Sequence, residues 1–131
     1  MLVDREGWSH VPRPLEHRID RMRLHALDAW VRSPAVLTDV AQLEEILYAG
    51  ASAGRATVVG EEFYVFPNGA VTGVLVLAQS HLSIHTWPEL LLANIDLLTY
   101  GDVDGDLVLR AICERLDVER ANSVCIPRAV G

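Results

Sequence analysis

The chain contains no lysine; its eleven basic residues other than histidine are all arginine. It therefore has no side chain that could hold pyridoxal phosphate as a Schiff base, and no P-loop lysine. Any imine chemistry must take its carbonyl from elsewhere. Cysteine is nearly as scarce. Cys113 and Cys125 are too few for a disulfide framework and lack the spacing of a zinc site, so they read as free thiols of a reducing compartment. No apolar run approaches the roughly 20 residues that a membrane-spanning helix needs. The N-terminal stretch carries Asp4, Glu6 and Trp8 instead of a basic start and an apolar segment. Neither a secretory signal nor a membrane anchor is expected there, and the expected location is cytoplasmic. There is also no basic block, and the formal charge is −7. With so little attraction to phosphate backbones, nucleic acid is not an expected partner.

What is present fits one soluble domain: 131 residues, half of them hydrophobic. Residues 1 to 23, with Pro12, Pro14 and several arginines, read as an extension, leaving 24 to 131 as the domain. Leu24 to Val31 reads as a strand broken by Ser33-Pro34. Asp39 to Ala53 is an amphipathic helix, with Val40, Leu43, Ile46, Leu47 and Gly50 at helical spacing and Gly54 at its end. Ala56 to Phe66 is strand-like, and Pro67-Asn68-Gly69 is a turn. Val71 to Leu77, Ser80 to Trp87 and Ala93 to Tyr100 are further strands. Asp102 to Leu116 reads as a second helix, with Asp104 and Asp106 in its first turn, and Arg120 to Pro127 as a last strand. This order predicts an α+β fold: a two-layer sandwich with a mostly antiparallel sheet and two helices on one face.

Strand alternation sorts the polar groups. His81, Ser83, His85 and Trp87 fall on one face; Leu82, Ile84 and Thr86 fall on the other with Ser80. If the next strand folds back near Leu90-Leu91, His81 faces Tyr100, Ser83 faces Leu98 and His85 faces Asp96. Two uses of that cluster compete with a polar face satisfied by solvent or by another subunit. A metal shared by His81 and His85 is disfavoured, because on a strand they stand about 13 Å apart. A Ser83-His85-Asp96 hydrolase lacks the nucleophile elbow G-x-S-x-G. From the pattern alone, the plain polar face stands level with any catalytic reading.

The run from Leu77 to Glu89, Leu-Ala-Gln-Ser-His-Leu-Ser-Ile-His-Thr-Trp-Pro-Glu, resembles the processing region of bacterial and archaeal S-adenosylmethionine decarboxylase proenzymes. Those proteins carry a Glu-Ser-His, an Ile-His-Thr and an aromatic-Pro-Glu in this order. Val71-Thr72-Gly73-Val74 before the run also matches, as do Ala93 to Leu97 and Thr99-Tyr100-Gly101 after it, and the similarity extends from about His25 onward. The resemblance implies self-cleavage between Gln79 and Ser80. The Ser80 hydroxyl attacks the Gln79 carbonyl, and elimination from the resulting ester leaves dehydroalanine, which hydrolyses to a pyruvoyl group. The resemblance assigns His85 and the Thr72 hydroxyl to processing. It assigns Phe66 and Trp87 to the adenine or sulfonium of the substrate, and Glu89 to ribose hydroxyls. The covalent pyruvoyl cofactor at position 80 then forms the imine that withdraws electrons as carbon dioxide leaves. The product is the aminopropyl donor of spermidine and polyamine synthesis, and the assembly implied is a homodimer of cleaved αβ protomers.

Two positions depart from the family pattern. Gln79 stands where glutamate is usual; the attacked group is the backbone carbonyl, so cleavage is still expected. Tyr100 stands at the position of the cysteine that protonates the product, and a phenol is a weaker acid than a thiol. This keeps a second enzymatic reading open, a pyruvoyl-dependent ornithine or arginine decarboxylase using Glu61, Glu62 or Glu89 for the distal cation. A third reading is a non-enzymatic regulatory homologue, against which Ser80, His85 and Thr72 weigh.

Overall fold

A computed structural model describes residues 22–129. Of the extension expected over residues 1 to 23, residues 1–21 lie outside the described residues, and Met22 and Arg23 already belong to the first strand. The strands are β1 (Met22–Val31), β2 (Val58–Val65), β3 (Val71–Leu77), β4 (Ser80–Trp87), β5 (Leu92–Tyr100) and β6 (Val118–Pro127). They form one antiparallel sheet in the order β2-β3-β4-β5-β1-β6. Two helices, α1 (Val40–Ala53) and α2 (Gly105–Leu116), cover one face. The expected two-layer sandwich is the observed one.

Local chemistry sets the helix ends. The Asp39 carboxylate accepts from the Gln42 amide at 3.1 Å and starts α1. Asp104 does the same for α2 through the Leu107 amide at 3.1 Å. This helix therefore begins at Gly105, three residues later than Asp102, because a capping aspartate must itself stay extended. Asp117, in the left-handed conformation, closes α2. Leu43, Ile46 and Leu47 of α1 and Val108, Ile112 and Leu116 of α2 enter the core. The helices touch where Gly50 meets Ile112; a Cβ on Gly50 would lie 2.6 Å from Ile112 Cγ1. From the sheet come Leu27, Ala29, Leu75, Leu82, Ile84, Ile95 and Leu97. Each large side chain so buried contributes about 1.5–3 kcal/mol.

Thr86 is the polar member of this core face. Its hydroxyl donates to the Leu37 carbonyl and accepts from the Val71 amide, both at 2.8 Å. It ties the 3-10 turn Pro34–Thr38 to the start of β3. The threonine of the Ile84-His85-Thr86 run thus holds the sheet corner together.

The expected β4–β5 register is displaced by two residues. His81 pairs with Leu98, Ser83 with Asp96 and His85 with Asn94. The cause lies in the connection, where a 3-10 turn at Pro88–Leu90 ends on Leu91 in the left-handed conformation. Trp87 can then pair directly with Leu92. A slip of two keeps every side chain on its expected face, whereas a slip of one would have inverted them.

The β3–β4 hairpin turns through only Ala78 and Gln79, with Leu77 paired to Ser80. Gln79 has φ 68°. Positive φ at the second central residue is glycine's position in a type II turn, and there a side chain costs about 1–2 kcal/mol. The bond from Gln79 to Ser80 therefore leaves a strained residue. In a chain kept whole by Ser80→Ala, Gln79→Gly is expected to raise the unfolding free energy by about 0.5 kcal/mol, after allowance for glycine's greater unfolded-state entropy. A urea titration checks this, and a lowered midpoint at unchanged slope would contradict it.

Candidate active site

The sheet face away from the helices is crossed by one polar row. Tyr64, Thr72, His85, Asn94, Asp28 and Asn122 are successive cross-strand partners from β2 to β6. Thr72 Oγ1 and His85 Nδ1 share a hydrogen bond of 3.0 Å, the donor being set by the imidazole tautomer. Further along, the Trp87 indole Nε1 donates to Asn94 Oδ1 at 2.6 Å, and Asn94 Nδ2 donates to Asp28 Oδ1 at 2.7 Å.

A cavity of about 330 Å³ opens at this end of the sheet, lined by Phe66, Asn68, Ala70, Thr72, His85, Thr86, Trp87 and Glu89. Five of the residues singled out in the sequence meet here: Phe66, Thr72, His85, Trp87 and Glu89. Their supports differ. The turn after β2 holds Phe66, whose amide donates to the Ala70 carbonyl at 2.8 Å. Its ring also stands edge-on to Tyr64, with centroids 4.9 Å apart. Glu89 lies in the 3-10 turn that follows Trp87. Two aromatic rings, a carboxylate and a hydroxyl–imidazole pair can hold a flat, cationic ligand with hydroxyl groups.

Gln79 and Tyr100 lie elsewhere. They line a separate cavity of about 260 Å³ with Met22 and Leu98, beside the β3–β4 turn. Ser80 begins β4, five residues before His85, which along a strand is about 16 Å. Alternation also sets Ser80 with the core-facing residues. Within one chain the Gln79–Ser80 bond and the Thr72–His85 pair therefore do not meet.

The Ser83-His85-Asp96 arrangement does not assemble. Ser83 faces Asp96, but His85 is bonded to Thr72 instead. Among the described residues no group of three metal-binding side chains converges. Nor is any helix long and apolar enough to cross a membrane. Of the carboxylates considered for a basic amino acid, Glu61 accepts from the Tyr48 hydroxyl at 2.7 Å, on the helix side. Glu62 pairs with Val74 on the open face but does not line the cavity. Glu89 alone of the three lines it.

A further cavity, about 440 Å³, lies on the helix side, between the foot of β1 and the start of α2. Arg23, Arg55, His25, Cys125 and three aspartates line it. Burial lowers the pKa of His25, opposed chiefly by the negative charge of Asp106. Burial likewise raises that of Cys125. None of the residues that the sequence assigned to processing or to substrate binding is there, and its mixed charges select no ligand of one sign.

Asn94 and Asp28 were missed in the sequence. Asn94 shows the right strand parity, but its link to Asp28 depends on β1 lying beside β5, which alternation does not reveal.

The S-adenosylmethionine decarboxylase family model matches residues 23–129. An S-adenosylmethionine decarboxylase proenzyme of Pseudomonas paraeruginosa is 38% identical over 94 residues, which is 71% of this chain and 59% of the relative. The chain thus spans less than two thirds of that relative's length. The proenzyme of Thermodesulfovibrio yellowstonii is 31% identical over 99 residues, covering 75% of this chain and 73% of the relative. The crystal structure of the adenosylmethionine decarboxylase from Aquifex aeolicus superposes with a TM-score of 0.76 at 28% identity, over 86% of this chain and 94% of that one. With nearly every described residue inside the matched region, and with the sheet and helices of a family structure, this chain belongs to the S-adenosylmethionine decarboxylase family.

Proposed function

We propose that this chain is a proenzyme that cuts itself between Gln79 and Ser80 and, as a dimer, decarboxylates S-adenosylmethionine to supply the aminopropyl donor of polyamine synthesis. The observation that carries the reading is the cavity where Phe66, Trp87 and Glu89 surround the hydrogen-bonded Thr72–His85 pair. Family membership supports the chemistry.

In processing, Ser80 Oγ forms an ester with the Gln79 carbonyl carbon as the peptide C–N bond breaks. Loss of the Ser80 α-proton then expels the Gln79 carboxylate and leaves dehydroalanine at the new terminus. Water completes its conversion to pyruvoyl and releases ammonia. The left-handed Gln79 favours the first step, because breaking the peptide relieves its backbone strain. Position 80 suits the group: it sits at a strand end, next to the cavity lined by Gln79 and Tyr100. The pyruvoyl group supplies the electron sink for loss of carbon dioxide, which no lysine-held cofactor can supply here.

Phe66 and Trp87 offer ring faces to the adenine or the sulfonium, and Glu89 accepts from ribose hydroxyls. Tyr100, beside Gln79, is the residue placed to return a proton to the product. The basic amino acid alternative is less well served by the same geometry: Glu61 is turned to the helix side and already bonded to Tyr48, Glu62 does not line the cavity, and Glu89, which does, stands there with two aromatic rings.

The separation of about 16 Å between Ser80 and His85 supports the dimer. A second copy laid sheet to sheet and antiparallel brings its Thr72–His85 pair to the end of the first copy's β4, where the Gln79 carbonyl leaves the turn and Ser80 begins the strand. The open face suits such a partner. Below the polar row, Val76 and Val124 are 47% and 43% exposed, and Leu24, Val74, Leu98 and Ile126 lie beside them half-buried. These apolar side chains, interleaved with His81, Ser83 and Asp96, suit an interaction face. An enzyme of this kind, with free thiols at Cys113 and Cys125, belongs in the cytoplasm.

Two measurements test the proposal. Intact mass should show two fragments divided between Gln79 and Ser80, and both Ser80→Ala and His85→Ala chains should stay whole. When those two variants are refolded together, the His85→Ala chain should be cleaved, because its Ser80 meets the partner's intact pair. A His85→Ala chain that remains whole in the mixture would rule out processing between chains. For the substrate, carboxyl-labelled S-adenosylmethionine should release carbon dioxide, while labelled ornithine and arginine should not. Release from either amino acid alone would replace the substrate proposed.

A further inference from the structure

We infer that Asp28 and Asn94 are positioning residues that hold the Trp87 ring as a wall of the substrate cavity, an inference that rests on the function proposed above. Trp87 lies at the end of β4 with 43% of its surface exposed. Packing alone does not fix so open a ring. Its indole N–H donates to Asn94 Oδ1, and the Asn94 amide donates to Asp28 Oδ1. The three residues come from three neighbouring strands, β4, β5 and β1. Neither Asn94 nor Asp28 lines the cavity, so both act on a ligand through Trp87.

The chain of bonds has one possible polarity. An indole N–H only donates and an ionised carboxylate only accepts, so the amide between them must turn its oxygen to Trp87 and its nitrogen to Asp28. The carboxylate thereby orients the amide, and the amide orients the ring. There is a consequence for specificity. With its N–H engaged by Asn94, Trp87 presents a ring face and no donor to the ligand. It therefore favours a flat or cationic group over a hydrogen-bond acceptor.

The polarity makes the relay testable by exchange. Asn94→Asp sets two carboxylates against each other. Adding Asp28→Asn restores a complete relay in which the middle carboxylate accepts from both sides. On self-cleaved protein, Asn94→Asp should raise the KM for S-adenosylmethionine about tenfold with kcat changed less than about threefold, as for loss of a charge-assisted hydrogen bond that positions a binding group. The Asp28→Asn/Asn94→Asp double variant should recover most of that KM. The Trp87 indole ¹⁵N–¹H resonance, assigned by its loss in Trp87→Phe, should move in Asn94→Ala and return towards its position in the double variant. A KM indifferent to Asn94→Asp, or a double variant no better than the single one, overturns the positioning role. An indole resonance that ignores Asn94 overturns the hydrogen bond itself. That resonance reads the relay whatever the substrate, so inactivity of every form, the unaltered chain included, counts against the decarboxylase reading and not against the relay.

Discussion

A sheet covered on one side only makes each strand serve two purposes at once. In β4, Leu82, Ile84 and Thr86 point into the core, so His81, Ser83, His85 and Trp87 must point out of it. Moving His85 off the open face would require a one-residue slip, and that slip would carry Leu82 and Ile84 into solvent. At about 1.5–3 kcal/mol for each of these side chains, the slip would cost a large share of a small domain's stability. The polar face is thus held in place by leucines and isoleucines on the opposite side of the sheet. The same constraint sets β5, where Ala93, Ile95 and Leu97 are buried and Asn94 stands between them on the other side.

That constraint fixes faces but not registers, and the line between what the sequence reveals and what it hides runs along this distinction. Alternation identified the outward set on β4 and β5, and helical spacing closed by Gly54 bracketed α1. The pairing of β4 with β5 was misjudged by two residues because it depends on how tightly Pro88–Leu91 closes. A 3-10 turn ending on a left-handed leucine carries no hydrophobic period. The convergence of Phe66 and Glu89 on His85 was equally hidden from periodicity, since both lie in turns; only the resemblance to a known family pointed to them. The contact between Asn94 and Asp28 was invisible by either route, because it needs a strand from the far end of the chain inserted beside β5.

Trp87 shows how a side chain on an open face becomes rigid without burial. A core aromatic is fixed by close packing. An aromatic at a cavity rim must stay partly bare to meet a ligand, so its orientation has to come from directional bonds. Here the direction originates in the Asp28 charge two strands away and passes through an amide that can lie only one way round. Rigidity obtained in this manner leaves the ring face free.

The remaining tension in the molecule is the length of β4. A strand is stiff, and five residues of it keep Ser80 about 16 Å from the Thr72–His85 pair. No rotamer change closes that distance, and bending β4 would break its pairing with both β3 and β5. On the proposed pairing, the same stiffness becomes useful. Two antiparallel copies of β4 face each other across the open sheets, so each strand's nucleophilic end lies over the other's basic end. One rigid spacing then serves both sites. On that proposal a lone chain keeps its serine away from the groups proposed to activate it, and self-cleavage waits on the meeting of two folded copies. The strain at Gln79 adds to this: it belongs to the folded hairpin and weakens the bond only where the sheet has already formed.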